Sequence, residues 1–209
     1  MPNCPLCNST SKVFYKDEFY LCSCCCGIFR PKEKLLDNEK EKQRYESHTN
    51  DSDDLGYQNF VLPITSSILK EYKKDDLGLD FGCGKDSPIV KVLRQNEYKI
   101  LEYDPYFYDD KKLLEQKYDY IACCEVIEHF YNPKKEFKLL KKLLKDDGTL
   151  YLMTGIYYTN IDFSKWWYKN DLTHVFIFKE KTFEWIKNEF DFKNMKIEKN
   201  FVRFSNRKD

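Results

Sequence analysis

Three groups of side chains in this chain can do chemistry, and their spacing says of what kind. In Glu125-Val126-Ile127-Glu128-His129 two carboxylates and an imidazole stand three and four residues apart. If a helical turn starts at Glu125, all three share one face. With His174, one of only three histidines in the chain, they form a donor set for a divalent cation that orients and acidifies a hydroxyl. The same residues serve other ends: an acid and imidazole after a strand cap the next helix, or His129 alone acts as a general base.

Cysteines form the second group. Six of the nine, Cys4, Cys7, Cys22, Cys24, Cys25 and Cys26, lie in the first 26 residues. An odd total without a leader-like N-terminus argues against a disulfide framework. Cys4-x-x-Cys7 and Cys22-x-x-Cys25 stand fourteen residues apart, the spacing of two knuckles closing a tetrahedral thiolate site for zinc. Cys24 and Cys26 compete with Cys25 as the fourth ligand. So short a segment has too little apolar area to fold without a staple.

The third group is a glycine turn, Leu77-Gly-Leu-Asp80-Phe-Gly82-Cys-Gly84-Lys85. An apolar run ends in an acid and breaks at two glycines, and an amphipathic segment follows from Ser87 to Leu93. Gly82 and Gly84 tolerate positive φ and lack a Cβ, so a ligand can lie against backbone N–H groups at the helix start. Asp104, twenty residues past Gly84, stands where a doubly wound fold sets an acid against ribose hydroxyls.

The elements that must position these groups follow from periodicity. Tyr57, Phe60, Val61, Ile64, Ile68, Leu69 and Tyr72 recur at helical spacing, with a restart at Pro63; Tyr57 and His48 read as packing and surface residues. Tyr98–Tyr103 is a second strand and Tyr118–Cys124 a third. A helix capped by Asn132-Pro133 follows, then a strand over Thr149–Thr154, a helix over Thr182–Phe190 and a closing strand over Met195–Phe204. Alternating strand and helix is an α/β chain with a doubly wound, mostly parallel sheet. Lys32–Glu46 is too charged to own a core and reads as a solvated helix or linker. The 35 basic and 35 acidic side chains cancel, so no net field announces nucleic acid or a membrane. No apolar stretch approaches the length of a membrane span, and the expected location is the cytoplasm.

L-D-F-G-C-G, E-Y-D-P, Y-D-Y-I-A-C-C-E-V-I-E-H-F and L-L-K-D-D-G-T-L-Y-L-M-T, in this order, resemble the class I S-adenosylmethionine-dependent methyltransferases. Bacterial members with an N-terminal C-x-x-C…C-x-x-C module are more similar still: Arg44–Asp51 reads R-Y-E-S-H-T-N-D and Trp166–Val175 reads W-W-Y-K-N-D-L-T-H-V. The resemblance implies a Rossmann-like domain over residues 57–209, behind a zinc ribbon over 1–31 and a charged linker over 32–56. It implies S-adenosylmethionine held by Asp80, Gly82, Gly84 and Asp104, with Glu125 nearby. E-x-x-E-H resembles the metal-dependent 2′-O-methyltransferases of small-RNA 3′ ends and the O-methyltransferases of ubiquinone synthesis, which implies catalysis by His129, Glu128 and His174 and a metal on Glu125, Glu128, His129 and His174.

Two departures stand out. Asp86 replaces the usual third glycine of the turn. Only fourteen residues separate Asp104 from Asp119, too few for a further helix, strand and helix, so one edge strand is expected to be missing and Tyr106 and Phe107 to stack on adenine. A dinucleotide would suit Gly82, Gly84 and Asp104 as well, but Ser87 stands where its third glycine belongs. A nucleic-acid-binding zinc ribbon on a non-catalytic scaffold is the alternative from another class. The acceptor, a hydroxylated small molecule or RNA, and the oligomeric state stay open. The aromatic run Tyr157–Tyr168 is either packing or the wall of a substrate pocket.

Overall fold

The computed structural model describes residues 1–37, 39, 41–42, 44 and 51–207. His48 and most of R-Y-E-S-H-T-N-D lie outside them, as does part of the expected linker. Among the described residues no helix is long and apolar enough to cross a membrane.

Near the N-terminus, β1 (Ser11–Tyr15), β2 (Phe19–Cys22) and β3 (Ile28–Phe29) form a small antiparallel meander. Two helices follow, α1 (Leu55–Phe60) and α2 (Leu62–Glu71), restarting next to Pro63 as the sequence predicts. Then come β4 (Leu77–Phe81), α3 (Pro88–Gln95), β5 (Lys99–Tyr103), β6 (Tyr118–Cys124), α4 (Pro133–Leu143) and β7 (Leu144–Met153). The chain ends with β8 (Phe176–Ile177), α5 (Glu180–Glu189), β9 (Asn194–Glu198) and β10 (Phe201–Ser205).

The main sheet has the order β5-β4-β6-β7-β10-β9, with β5, β4, β6 and β7 mutually parallel and β10 antiparallel to both of its neighbours, β7 and β9. Central parallel strands are covered on both faces, so β4 and β6 read as nearly continuous apolar runs. Ile64, Ile68, Ile89 and Leu93 of α2 and α3 cover one face; Phe137, Leu140, Phe183 and Ile186 of α4 and α5 cover the other. The helix starts match their sequence signals: Ser87 Oγ accepts from Val90 N–H and Asn132 Oδ1 from Lys135 N–H.

The expected loss of an edge strand is borne out. Between Asp104 and Tyr118 the chain makes only the bridge Asp104–Tyr108 and a short 3₁₀ turn over Lys111–Leu114, and β5 is the sheet edge. One expectation is corrected: Met195–Phe204 is a hairpin rather than one strand. Its alternation carries through both arms, and the two-residue turn Lys199-Asn200 holds neither glycine nor proline to mark it.

The cysteine-bearing meander does not stand apart. β3 pairs with β8 through Ile28–Ile177 and Phe29–Phe176, making a second sheet β1-β2-β3-β8 whose last strand comes from the far end of the chain. Gly27 is needed beside it, since a Cβ there would lie 2.3 Å from the Phe176 ring.

Candidate functional site

The glycine turn is fixed from two sides. Gly82 and Gly84 have φ of 79° and 66°, conformations open to glycine at little cost. The N–H groups of Gly82 and Cys83 donate to the Tyr103 carbonyl at the end of β5, and a Cβ on Gly82 would lie 2.6 Å from Val126. Gly84 N–H donates to Asp104 Oδ2 at 3.0 Å, while Oδ1 accepts from Tyr106 and Phe107 N–H at 2.8 and 3.2 Å. Asp104 therefore already braces the turn, with acceptor capacity left on Oδ2. Asp80 lies beneath, 2% exposed, accepting from Ser87 Oγ at 2.5 Å. Burial pushes its carboxyl up to about 7, against the pull of the Ser87 hydrogen bond. Asp86, in place of a third glycine, turns its carboxylate outward to Ser52 N–H at 2.8 Å.

Tyr106 sits half-buried with its hydroxyl donating to Glu41 at 3.1 Å, and Tyr131 donates to the Leu36 carbonyl at 3.2 Å. Glu41 is buried. This part of the expected solvated linker is therefore anchored across the β5 and β6 loops. Tyr57, read from sequence as packing, is half-buried and packs against the cluster of Ile64, Ile68 and Ile89; burial pushes its pKa up.

Glu128, His129 and His174 come together: their ligand atoms all lie within 4.8 Å of one another. Glu125 is not in that group. Helical spacing fails because Glu125 has φ of 52° and its N–H donates to the Met153 carbonyl at 2.8 Å; the 3₁₀ turn starts only at Ile127. Burial first, and then the neighbouring Glu128 carboxyl, raise the Glu125 pKa. Glu128 is fully buried and accepts from Tyr168 OH at 2.5 Å and Thr154 Oγ1 at 3.0 Å.

Both imidazoles are held alike. His129 Nδ1 lies 2.9 Å from the Thr173 carbonyl and His174 Nδ1 lies 2.8 Å from the Tyr168 carbonyl. A carbonyl only accepts, so the proton sits on Nδ1 and the lone pair on Nε2, the arrangement found behind metal-bound histidines. Burial lowers the His174 pKa. Two imidazoles and one carboxylate, brought together from two loops, fit a divalent cation with coordination positions open to a substrate.

The loop carrying His174 is anchored by residues that sequence reasoning passed over. Asp171 accepts from Thr173 N–H and Oγ1 and pairs with Arg44 at 2.9 Å, so the two motifs flanking the main domain meet. Arg30, directly after β3, donates from its guanidinium to the carbonyls of Lys169 at 2.7 Å and His174 at 3.3 Å. Its backbone N–H donates to the Val175 carbonyl, and Val175 N–H donates to the Glu128 carbonyl, both at 2.9 Å. The signal was present in W-W-Y-K-N-D-L-T-H-V, of which histidine alone was singled out.

Cys4, Cys7, Cys22 and Cys25 converge within the same 4.8 Å limit. Sγ of Cys4 and Cys25 are 3.6 Å apart, those of Cys7 and Cys22 3.2 Å. Cys25 is the fourth member; Cys24 is exposed, and Cys26, at φ of 59°, turns its thiol toward the Cys24 carbonyl. Four thiols on two tight turns suit zinc.

No curated protein matches the sequence. Similar solved structures include a Burkholderia thailandensis 1,6-didemethyltoxoflavin N1-methyltransferase with bound 1,6-didemethyltoxoflavin and S-adenosylhomocysteine: TM-score 0.55 and 11% identity over 86% of this chain and 94% of that one. Human N-acetylserotonin methyltransferase in complex with SAM gives 0.54 and 9% over 81% of this chain, which spans only 56% of that enzyme. An O-methyltransferase family protein from Burkholderia thailandensis gives 0.53 and 10%, covering 79% and 61%. At these identities the likeness is one of fold. Residues 56–197 match the family described as Methyltransferase domain, which is more than half of the chain, and the chain belongs to that family.

Proposed function

We propose that this protein is an S-adenosylmethionine-dependent methyltransferase that transfers the methyl group to a hydroxyl oxygen, in the cytoplasm, with a structural zinc on Cys4, Cys7, Cys22 and Cys25. The observation that carries it is the convergence of Glu128, His129 and His174 at the carboxyl end of the sheet, beside the glycine turn. Gly82 and Gly84 let the cofactor lie on the turn, with Asp104 Oδ2 accepting from the ribose and Tyr106 bordering the adenine end. Tyr168 and Thr154 orient Glu128, and two carbonyls orient the imidazoles. A divalent cation held by Glu128, His129 and His174 would supply Lewis acidity to the acceptor hydroxyl. The acceptor oxygen forms a bond to the methyl carbon as the carbon–sulfur bond breaks, S-adenosylhomocysteine leaves, and the hydroxyl proton passes to solvent, or to His129 Nε2 where no cation occupies that nitrogen.

Calorimetry with S-adenosylmethionine separates this reading from a scaffold, which would bind none. Asp104→Ala is expected to weaken binding by roughly 1.5–3 kcal/mol, the range for hydrogen bonds to a charged group; an unchanged dissociation constant removes Asp104 from the cofactor site. Protein stripped of loosely held cations and assayed with Mg²⁺, Mn²⁺ or Zn²⁺ restored tests the cluster. Glu128→Gln and His174→Ala are expected to lower turnover at least about 100-fold. Full activity in chelator leaves His129 as general base without metal.

A further inference from the structure

A cavity of about 570 Å³ opens at the carboxyl end of the sheet, between the residues that follow β6 and β7 and the β9–β10 turn. That volume suits a small molecule. Its walls are the rings of Phe60, Trp166, Trp167 and Tyr168 with Ile156, and Glu125 stands among them. Trp166 stacks on Tyr168 at 5.0 Å and 24°, and the same tyrosine ring packs 4.0 Å from His174. Its position is fixed, because Gly155 N–H donates to the Tyr168 hydroxyl at 2.9 Å and a Cβ on Gly155 would lie 2.6 Å from the ring. The cavity and the Glu128–His129–His174 cluster therefore share one wall. Phe60 is 39% and Trp167 69% exposed, aromatic faces at the mouth that a flat guest would cover.

Two lining residues, Glu125 and Lys199, have positive φ, and the second is a cation at the rim. Lys199 and Asn200 join β9 to β10, and Lys199 has φ of 54°, which a two-residue hairpin turn ordinarily gives to glycine. The turn is held in place: Tyr158 OH donates to the Lys199 carbonyl at 2.8 Å and Thr154 N–H to the Asn200 carbonyl at 3.1 Å. Among the described residues the Lys199 ammonium makes no ion pair, and it borders the cavity. A strained position occupied by a cation rather than glycine, at the edge of an aromatic pocket, is accounted for if the cation recognises something.

We propose that this cavity is the acceptor subsite and takes a flat, hydroxylated aromatic acid, with its ring against Trp166, Trp167 and Phe60 and its anionic substituent on Lys199. The proposal rests on the methyltransferase reading, since it makes the guest the methyl acceptor. Such a guest matches the wall chemistry and the charge together, whereas a nucleic-acid strand needs a groove lined by several cations, and among the described residues Lys199 is the only lysine or arginine lining this cavity.

The test uses 3,4-dihydroxybenzoate and catechol, which share both hydroxyls and differ in the carboxylate, titrated into the full chain with tryptophan fluorescence as the readout. The anion is expected to bind roughly ten-fold tighter, the scale of a charge-assisted hydrogen bond near solvent. Lys199→Gln should bring the two within about two-fold, and Lys199→Arg should keep the preference. Lys199→Gly should lose it while raising the thermal midpoint, because the turn relaxes. Equal binding of the two probes, a preference unchanged in Lys199→Gln, or quenching by a single-stranded RNA oligonucleotide but by neither probe would overturn the assignment. Cofactor binding by calorimetry is scored separately. Cofactor bound with both probes refused sinks the acceptor class alone; the anionic probe bound with cofactor refused sinks the methyltransferase reading and leaves an anion-selective aromatic pocket.

Discussion

Two clusters of donor side chains, one within the first 26 residues and the other at Glu128, His129 and His174, are linked through the β3–β8 pair and differ in what keeps them together. The thiols of Cys4, Cys7, Cys22 and Cys25 touch mainly one another. Glu128, His129 and His174 each have hydrogen-bond partners outside the cluster, from Tyr168, Thr154 and two backbone carbonyls. Soft thiolates on tight turns leave no coordination position for a substrate and depend on a metal to cohere. Two imidazoles and a carboxylate, already oriented by the protein, hold their geometry without one and leave positions open. The contrast separates a structural donor set from a reactive one, by the partners of each atom rather than by residue type.

The largest expected effect breaks the first cluster. Cys7→Ser/Cys22→Ser should reduce bound zinc from about one equivalent to none by metal analysis. Thiolate zinc contributes on the order of 10 kcal/mol or more to small modules, so strands β1–β3 should lose their order. Because β3 holds β8 and Arg30 holds the His174 loop, turnover should fall with the zinc. Glu128→Gln, in contrast, should leave zinc content unchanged. Zinc retained in the double variant would mean that other cysteines are the ligands.

How much of this was legible beforehand depends on how local the cause is. The strand–turn–helix at Gly82 and Gly84, the cap at Asn132 and the missing edge strand all follow from neighbours in sequence, and each is found. Glu125 was placed wrongly because a φ of 52° leaves no mark in the residue type; only the carbonyl of Met153, brought in by β7, explains it. The Met195–Phe204 hairpin was missed for a similar reason, since lysine occupies the position that glycine normally advertises. The β3–β8 pairing joins two-residue strands almost 150 residues apart, Ile28 with Ile177, too short for any periodicity. Such non-local contacts position His174. The aromatic run was two things at once: Tyr157 and Phe163 pack on Phe14 of the first module, while Trp166 and Trp167 line the cavity.

A smaller effect sharpens the second cluster. Burial holds the His174 pKa below its ordinary value of 6.5. The unfolded chain therefore takes up a proton at higher pH than the folded one, and stability is full above the unfolded pKa and lost as pH falls through the folded value. In protein washed free of loosely held divalent cations, the thermal midpoint should fall below about pH 6.5 by more in the parent than in His174→Gln. Identical profiles would mean that the imidazole is not held neutral by its surroundings.

The smallest effect tests the link between the clusters. Arg30 is 7% exposed, its guanidinium 4.2 Å from the Phe19 ring and its two donors on the carbonyls of Lys169 and His174. Lysine keeps the charge but lacks the planar fork, so it satisfies one carbonyl where arginine satisfies two. One lost hydrogen bond of about 1 kcal/mol corresponds to roughly a five-fold change. If Arg30 acts by positioning His174, Arg30→Lys should lower kcat about five-fold while zinc content and the S-adenosylmethionine dissociation constant stay at parental values. A general loosening of the fold would move all three together, because β3, β8 and the Glu128 carbonyl form one hydrogen-bonded series through Val175. A kcat equal to the parent's would show that the backbone pairing alone sets the loop, and that the cysteine module reaches the reactive cluster through strand β8 and not through the Arg30 side chain.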